Sequence, residues 1–193
     1  AADQGCRLVV LPECLDLGWM DESARTMAQP IPGPRSAELA AAAHEHRIAV
    51  VAGLTERAGD RIHNAAVALD ASGGLLRVHR KITVLDIARD LYTPGRSLEV
   101  VQLAGVPTGL TICADNFPDS LELGRSLARM GAQLIASPSA WAVPPEHDNH
   151  ATPYGEIWRT AYGTLAADHH LAVVGVSNTG AIRSGAWTGH RVI

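Results

Sequence analysis

Apolar runs of strand length alternate along this chain with longer stretches in which apolar residues recur at helical spacing, the pattern of buried strands layered against helices. Residues 8–11 (Leu-Val-Val-Leu) predict a strand. Residues 34–46 predict a helix, because Pro34 and Ser36 stand near its start and alanine fills its body. Strands are expected over 48–54, 63–69 and 75–79, with the last two joined at Asp70-Ala71-Ser72-Gly73-Gly74, whose glycines suit a hairpin. Residues 98–103 and 106–112, divided by Ala104-Gly105, read as a second hairpin. A helix is expected over 119–130, with Leu121, Leu127 and Met130 on its core face and Asp119 and Glu122 where the N-terminal dipole favours acids. A strand over 133–137, a long loop over 138–153 containing Pro144-Pro145, a helix over 154–169 and a strand over 171–176 complete the series. The fold class is therefore α/β, and with no repeat or low-complexity tract to divide it, residues 1–193 are expected to form a single domain. The first five residues read as the tail of a helix ended by glycine and residues 189–193 as the start of a strand, so the domain is expected to be incomplete at both ends.

Composition narrows the partners. With 193 residues, 47% hydrophobic content and a mean hydropathy of +0.05 the chain has enough apolar surface for a sizeable core. A net charge of −4 and the lack of any lysine or arginine run argue against nucleic acid. The longest apolar run, 48–54, falls far short of the ~20 residues that span a bilayer. Nothing resembles a secretory signal, so the expectation is a cytoplasmic protein with no membrane partner. The three cysteines, Cys6, Cys14 and Cys113, show no CxxC spacing, which argues against a disulfide framework or a thiolate zinc site. Cys6 and Cys14 flank the first strand and are expected to be packing residues.

Cys113 stands where the strand over 106–112 breaks into Ala114-Asp115-Asn116-Phe117-Pro118. Two other predicted strands end at groups that could serve it, Glu13 and Lys81. A carboxylate, an ammonium and a thiol at strand ends are the parts needed for acyl transfer through a thioester. They are too far apart in sequence to be helix neighbours and meet only if the fold brings them together. His147-Asp148-Asn149-His150 and His169-His170 collect potential ligands, but the loop pair lacks i, i+4 spacing and no third ligand is evident, so neither a metal nor another cofactor is expected.

Leu11-Pro12-Glu13, Arg80-Lys81 and the segment Ile112 through Pro118 resemble, in order, the motifs of the nitrilase superfamily of carbon-nitrogen hydrolases. Ile62-His63-Asn64-Ala65, Tyr92-Thr93-Pro94-Gly95, Gly131-Ala132-Gln133-Leu134-Ile135, Pro138-Ser139-Ala140-Trp141 and Gly189-His190 fit the same series. The resemblance implies a four-layer αββα sandwich of two mixed sheets with outer helices, truncated at both ends, whose copies associate through a helical face into homodimers or larger homo-oligomers. It implies Cys113 as nucleophile, Glu13 as base, and Lys81 with the backbone N–H of Ala114 as stabilisers of the oxyanion. The implied substrate is a small amide or N-carbamoyl compound that loses ammonia or an amine. Asp115 resembles the amidase and carbamoylase branches, which favours amides over nitriles, and Asn116, Trp141 and Tyr154 are expected to contact the substrate.

The sequence also departs from the family pattern. Where members carry a second glutamate beside the lysine this chain has Ala88, with Asp86 and Asp90 the nearest carboxylates that could substitute. The histidine often found two positions after the lysine is Thr83, and the serine often following Gly-His is Arg191. Two other readings stay open: a catalytically impaired interaction or regulatory module of the same fold, and an acyltransferase that passes the acyl group to an amine.

Overall fold

The computed structural model describes residues 1–192. Its first sheet contains β1 (Leu8–Val10), β2 (Ala49–Ala58), β3 (Arg61–Leu69) and β4 (Leu75–Arg80) in that spatial order, β1 parallel to β2 and the rest antiparallel. The second sheet has the order β5 (Val100–Leu103), β6 (Val106–Leu110), β7 (Leu134–Ser139), β9 (Ala172–Ser177); β5 and β6 form a hairpin and the other pairs are parallel. A small antiparallel sheet joins β8 (Ala142–Val143), β11 (Arg191–Val192) and β10 (Gly180–Ala181). The helices are α1 (Ala24–Met27), α2 (Pro34–His46), α3 (Leu121–Arg129) and α4 (Glu156–His169).

Alternation along the strands creates the layers. On β2, Val50, Ala52 and Leu54 pack with Val67 and Leu69 of β3 against Leu39, Ala40 and Ala43 of α2. The intervening Ala49 and Val51 turn the other way, with Ala66 and Ala68, and meet Leu110, Ile112 and Ala136 of the second sheet. The outer face of that sheet offers Ile135 to Leu121 of α3 and to Ala161 and Leu165 of α4. The result is α2, sheet, sheet, then α3 with α4: the αββα sandwich that the sequence motifs imply.

The helix over 34–46 is found with those limits, Pro34 at its first turn and the Ser36 hydroxyl accepting the N–H of Gly33 at 2.9 Å. Three expectations need correction. The strands expected over 48–54 and 63–69 are longer, extending to Ala58 and back to Arg61, because charged residues continue the ladder on the outer face, where Glu56 binds Arg80. The expected loop over 138–153 begins too early: Pro138 and Ser139 belong to β7, and Pro138 is tolerated because β6 pairs with β7 only as far as Ala136. Cys14 is fully buried, but Cys6 is exposed and lies outside the core.

One close approach sets the position of the segment after β1. A Cβ on Gly53 would lie 2.4 Å from the Cα of Glu13 and 2.6 Å from the carbonyl oxygen of Pro12. Both obstacles are backbone, so nothing flexible can move aside. We expect Gly53→Ala to destabilise the fold by about 1–3 kcal/mol, the scale of overpacking a filled interior. Urea denaturation checks this, and an unchanged midpoint would show that the Glu13 segment yields easily.

Candidate active site

Three strand ends and the body of a fourth strand supply the site. β1 runs into Leu11-Pro12 and delivers Glu13, β4 delivers Lys81 just past Arg80, β3 carries Asn64, and β6 continues through Thr111 and Ile112 to Cys113. The Lys81 N–H donates to the carbonyl of Asn64 at 2.8 Å, so β4 pairing persists one residue beyond the assigned strand and fixes the lysine beside the asparagine. Glu13, Asn64, Lys81 and Cys113 are all buried.

Their side chains converge. Lys81 Nζ donates to Glu13 Oε1 at 2.7 Å, and Asn64 Nδ2 donates to the same oxygen at 2.5 Å. The other carboxylate oxygen, Oε2, is buried without a partner among the described residues. Cys113 Sγ donates to the carbonyl of Ala140 at 3.7 Å. Burial first, then the adjacent Glu13 charge, push the Cys113 thiol up to about 12, against the opposing pull of Lys81. Burial works against the Lys81 charge too, but the Glu13 and Asp115 charges and the bond to Glu13 outweigh it, and the ammonium is held above the ordinary lysine range. Burial thus favours the neutral thiol of Cys113, next to a lysine held in its charged form.

Cys113 sits at φ 46, in the left-handed region that non-glycine residues seldom occupy. A conformation of this kind costs about 1–3 kcal/mol and persists only when its surroundings hold it. Asp115 is the main clamp. Its Oδ2 accepts the N–H of Ile112 at 3.0 Å and pairs with His79 Nε2 at 3.0 Å, while Oδ1 accepts the N–H groups of Ile82 at 3.0 Å and Thr83 at 2.7 Å. One carboxylate therefore ties the turn that carries the thiol to the segment that carries the lysine. Burial disfavours its charge, yet the bonds from His79 and Thr83 and the nearby Lys81 hold its carboxyl below the usual range.

The remaining sequence-predicted residues fall into two groups. Ala114 lies in the short turn of helix Cys113–Asn116, and no acceptor takes its N–H among the described residues. Asn116 is wholly buried, and its amide donates to Ser137 Oγ at 2.9 Å and to the Cys113 carbonyl at 3.3 Å, so it braces the same turn. Trp141 and Tyr154 are half-buried and stacked, with centroids 6.4 Å apart. Trp141 also meets Phe117 and Trp158 edge-on, and the group packs around the cluster that contains Cys113.

Other assignments change with the structure in view. Neither Asp86 nor Asp90 reaches Lys81; both are exposed, and Asp86 pairs with Arg89. Ala88 is buried among apolar neighbours that include Leu91 and Tyr92. Asp115, noted in the sequence only as a mark of subfamily, is the second carboxylate acting on Lys81. Asn64 was visible only as part of a motif, and its bond to Glu13 depends on a strand pairing that no local pattern reveals. Among the described residues no group of three or more His, Cys, Asp or Glu side chains could hold a metal ion, and no helix is long and apolar enough to cross a membrane.

Comparison with known proteins identifies the family. The family model described as carbon-nitrogen hydrolase matches residues 1–190. The chain belongs to the carbon-nitrogen hydrolase family. It is 35% identical over 174 residues to a nitrilase of Pyrococcus abyssi, covering 87% of this chain and 64% of that protein. It is 32% identical over 152 residues to an omega-amidase of Danio rerio, covering 73% and 54% respectively. This carbon-nitrogen hydrolase chain thus spans between about half and two thirds of those relatives' lengths. In fold it is similar to the crystal structure of a carbon-nitrogen hydrolase from Helicobacter pylori G27, with a TM-score of 0.80 and 24% identity, over 98% of this chain and 68% of that one.

The raised thiol carries a stability consequence. A cysteine whose folded pKa lies above its unfolded value binds its proton more tightly when native, so its contribution is complete below pH about 8.5–9 and is lost as pH climbs toward 12. Relative to Cys113→Ala, the wild-type chain should lose up to about 1.4 kcal/mol per pH unit across that window. Urea denaturation of both proteins at several pH values reads the difference, and parallel curves would mean that the thiol is not held protonated.

Proposed function

We propose that this chain carries the catalytic core of a thiol-dependent hydrolase that cleaves the carbon-nitrogen bond of a small linear amide or N-carbamoyl compound. The observation that supports it is the buried Glu13–Lys81 pair beside the constrained thiol of Cys113. A thiol kept neutral at rest is a poor nucleophile, and it needs a base at the moment of attack. Glu13 Oε2, buried and unpartnered, is the acceptor at hand.

The steps follow from the donors present. As Sγ bonds to the carbonyl carbon, the thiol proton passes to Glu13 and the carbonyl electron pair moves onto oxygen. Lys81 Nζ has one N–H on Glu13, which leaves two, and the unbonded N–H of Ala114 is a third donor for the oxyanion. Collapse breaks the C–N bond, and the proton on Glu13 leaves with ammonia or amine. Glu13 then takes a proton from water, whose oxygen attacks the thioester; the C–S bond breaks, the acid is freed and the Glu13 proton returns to sulfur. No cofactor is needed. Trp141 and Tyr154 offer apolar faces to the acyl group, and Asn116 acts through the turn it braces.

Amides are preferred to nitriles because Asp115 follows the amidase pattern and amidases stand among the relatives, including an (R)-stereoselective amidase of a Pseudomonas species at 30% identity over 176 residues. A cytoplasmic setting and assembly of copies through a helical face complete this reading. The loss of the second glutamate does not leave Lys81 short of negative charge, since Glu13 and Asp115 both act on it.

Incubation with a panel of short amides and N-carbamoyl compounds, with ammonia release and intact mass measured, tests the proposal. The wild-type chain should gain an acyl mass on Cys113 and release ammonia. Cys113→Ala should do neither, and Glu13→Gln, which keeps the shape of the side chain, should form no adduct. Lys81→Ala should slow turnover by roughly 10²–10³-fold, the effect of removing one oxyanion donor. Ammonia release by Cys113→Ala at the wild-type rate would rule the mechanism out.

A further inference from the structure

A cavity of about 650 Å³ opens on the side of the first sheet that faces away from the thiol. Strand register explains its chemistry. Outward alternation on β2, β3 and β4 places Glu56, His63 and Arg80 on this face, while Asn64 and Lys81 turn inward to the site. No residue of α2 lines the cavity, so this stretch of the sheet is left open.

Arg61, Arg77, Arg80 and Arg96 line the cavity against only two carboxylates, Glu56 and Asp60. Glu99, which pairs with Arg77, is a third carboxylate against the four arginines, so the surplus is one positive charge on a chain whose net charge is −4. Two of the four guanidinium groups are held in place. Arg80 donates to both oxygens of the buried Glu56, at 2.6 and 2.7 Å, and Arg77 donates to Ser97 Oγ at 2.8 Å and pairs with Glu99. The other two, Arg61 and Arg96, have no ion-pair partner among the described residues. Ile31, Val78 and Pro94 add an apolar wall.

The frame is rigid where it touches the candidate active site. The Gly95 N–H donates to the Lys81 carbonyl at 2.8 Å, and a Cβ on Gly95 would fall 2.0 Å from the carbonyl oxygen of Arg80. The segment that carries Arg96 is thereby fastened to the peptides of Arg80 and Lys81.

We propose that this cavity binds a small organic dianion, a phosphate monoester or a dicarboxylate, whose charges meet Arg61 and Arg96 while its carbon frame lies on Val78 and Pro94. The planar fork of arginine matches both carboxylate and phosphate oxygens. The volume lies within the range of small-molecule sites and exceeds what a bare inorganic anion fills. Arg61 and Arg96, both free of ion pairs among the described residues, can each take one charged end of a doubly charged ligand, whereas a singly charged one engages only one of them.

Titration calorimetry at fixed ionic strength and about pH 8, where a phosphate monoester carries both charges, tests the site with phenyl phosphate, glutarate and the monoanion benzoate. Saturable one-to-one binding of phenyl phosphate or glutarate, roughly tenfold or more tighter than benzoate, is expected. Whichever dianion binds more tightly identifies the ligand as a phosphate ester or a dicarboxylate. The Arg61→Ala, Arg96→Ala double variant should lose roughly tenfold or more of that affinity with an unchanged denaturation midpoint, because both side chains are exposed and unpaired. Equal weak uptake of all three anions, or full affinity in the double variant, overturns the site. Comparing mono- and dianion on the wild-type protein keeps the test independent of the variant, and neither arginine belongs to the proposed catalytic machinery.

Discussion

An ammonium and a carboxylate removed from water face a large loss of hydration, and only close contact with further hydrogen bonds can offset it. Glu13 and Lys81 meet that condition at 2.7 Å, with Asn64 donating to the same carboxylate oxygen. Each member comes from the end of a different strand, so the pair forms only when β1, β3 and β4 are aligned in register and Gly53 lets the Glu13 segment lie against β2. Removing one partner strands a buried charge, an error of about 3–5 kcal/mol in comparable cases. The ion pair therefore binds the chemistry of the site to the integrity of the first sheet.

The second sheet contributes the Cys113 thiol through a different device. Cys113 sits in a backbone conformation that is unfavourable in isolation, and Asp115 holds it there with four bonds that reach both ways across the inter-sheet space. The same burial that stabilises this arrangement keeps the thiol protonated at rest. In the proposed mechanism, proton transfer is deferred until a carbonyl carbon is in place to share the developing charge. The first sheet has two faces of different chemistry: an inner one that brings Glu13 and Lys81 to the thiol of the second sheet, and an outer one with a surplus of arginine.

The departures from the family pattern take on a physical meaning once contacts are visible. Ala88 is buried in an apolar cluster, and Asp115 supplies negative charge to Lys81. Thr83 replaces a histidine but offers its backbone N–H to Asp115 and its hydroxyl to Ser120. Arg191, in β11, donates to the carbonyl of His147 and so ties the small sheet to the loop beside the aromatic cluster.

Much of this was legible in the letters. Apolar alternation marked nearly every strand of the two main sheets, Pro34 and Ser36 marked the start of α2, and the residues at the ends of three strands marked the acid, the lysine and the thiol. These are local signals, since periodicity and turn chemistry act within a few residues. The sequence could not locate the charged ends of β2 and β3, the clamp made by Asp115, the bond from Asn64 to Glu13, or the arginine-lined cavity. Each depends on which residues face one another across strands distant in sequence. A polar side chain looks solvated until packing removes the water and gives it a partner, and that step belongs to the tertiary structure alone.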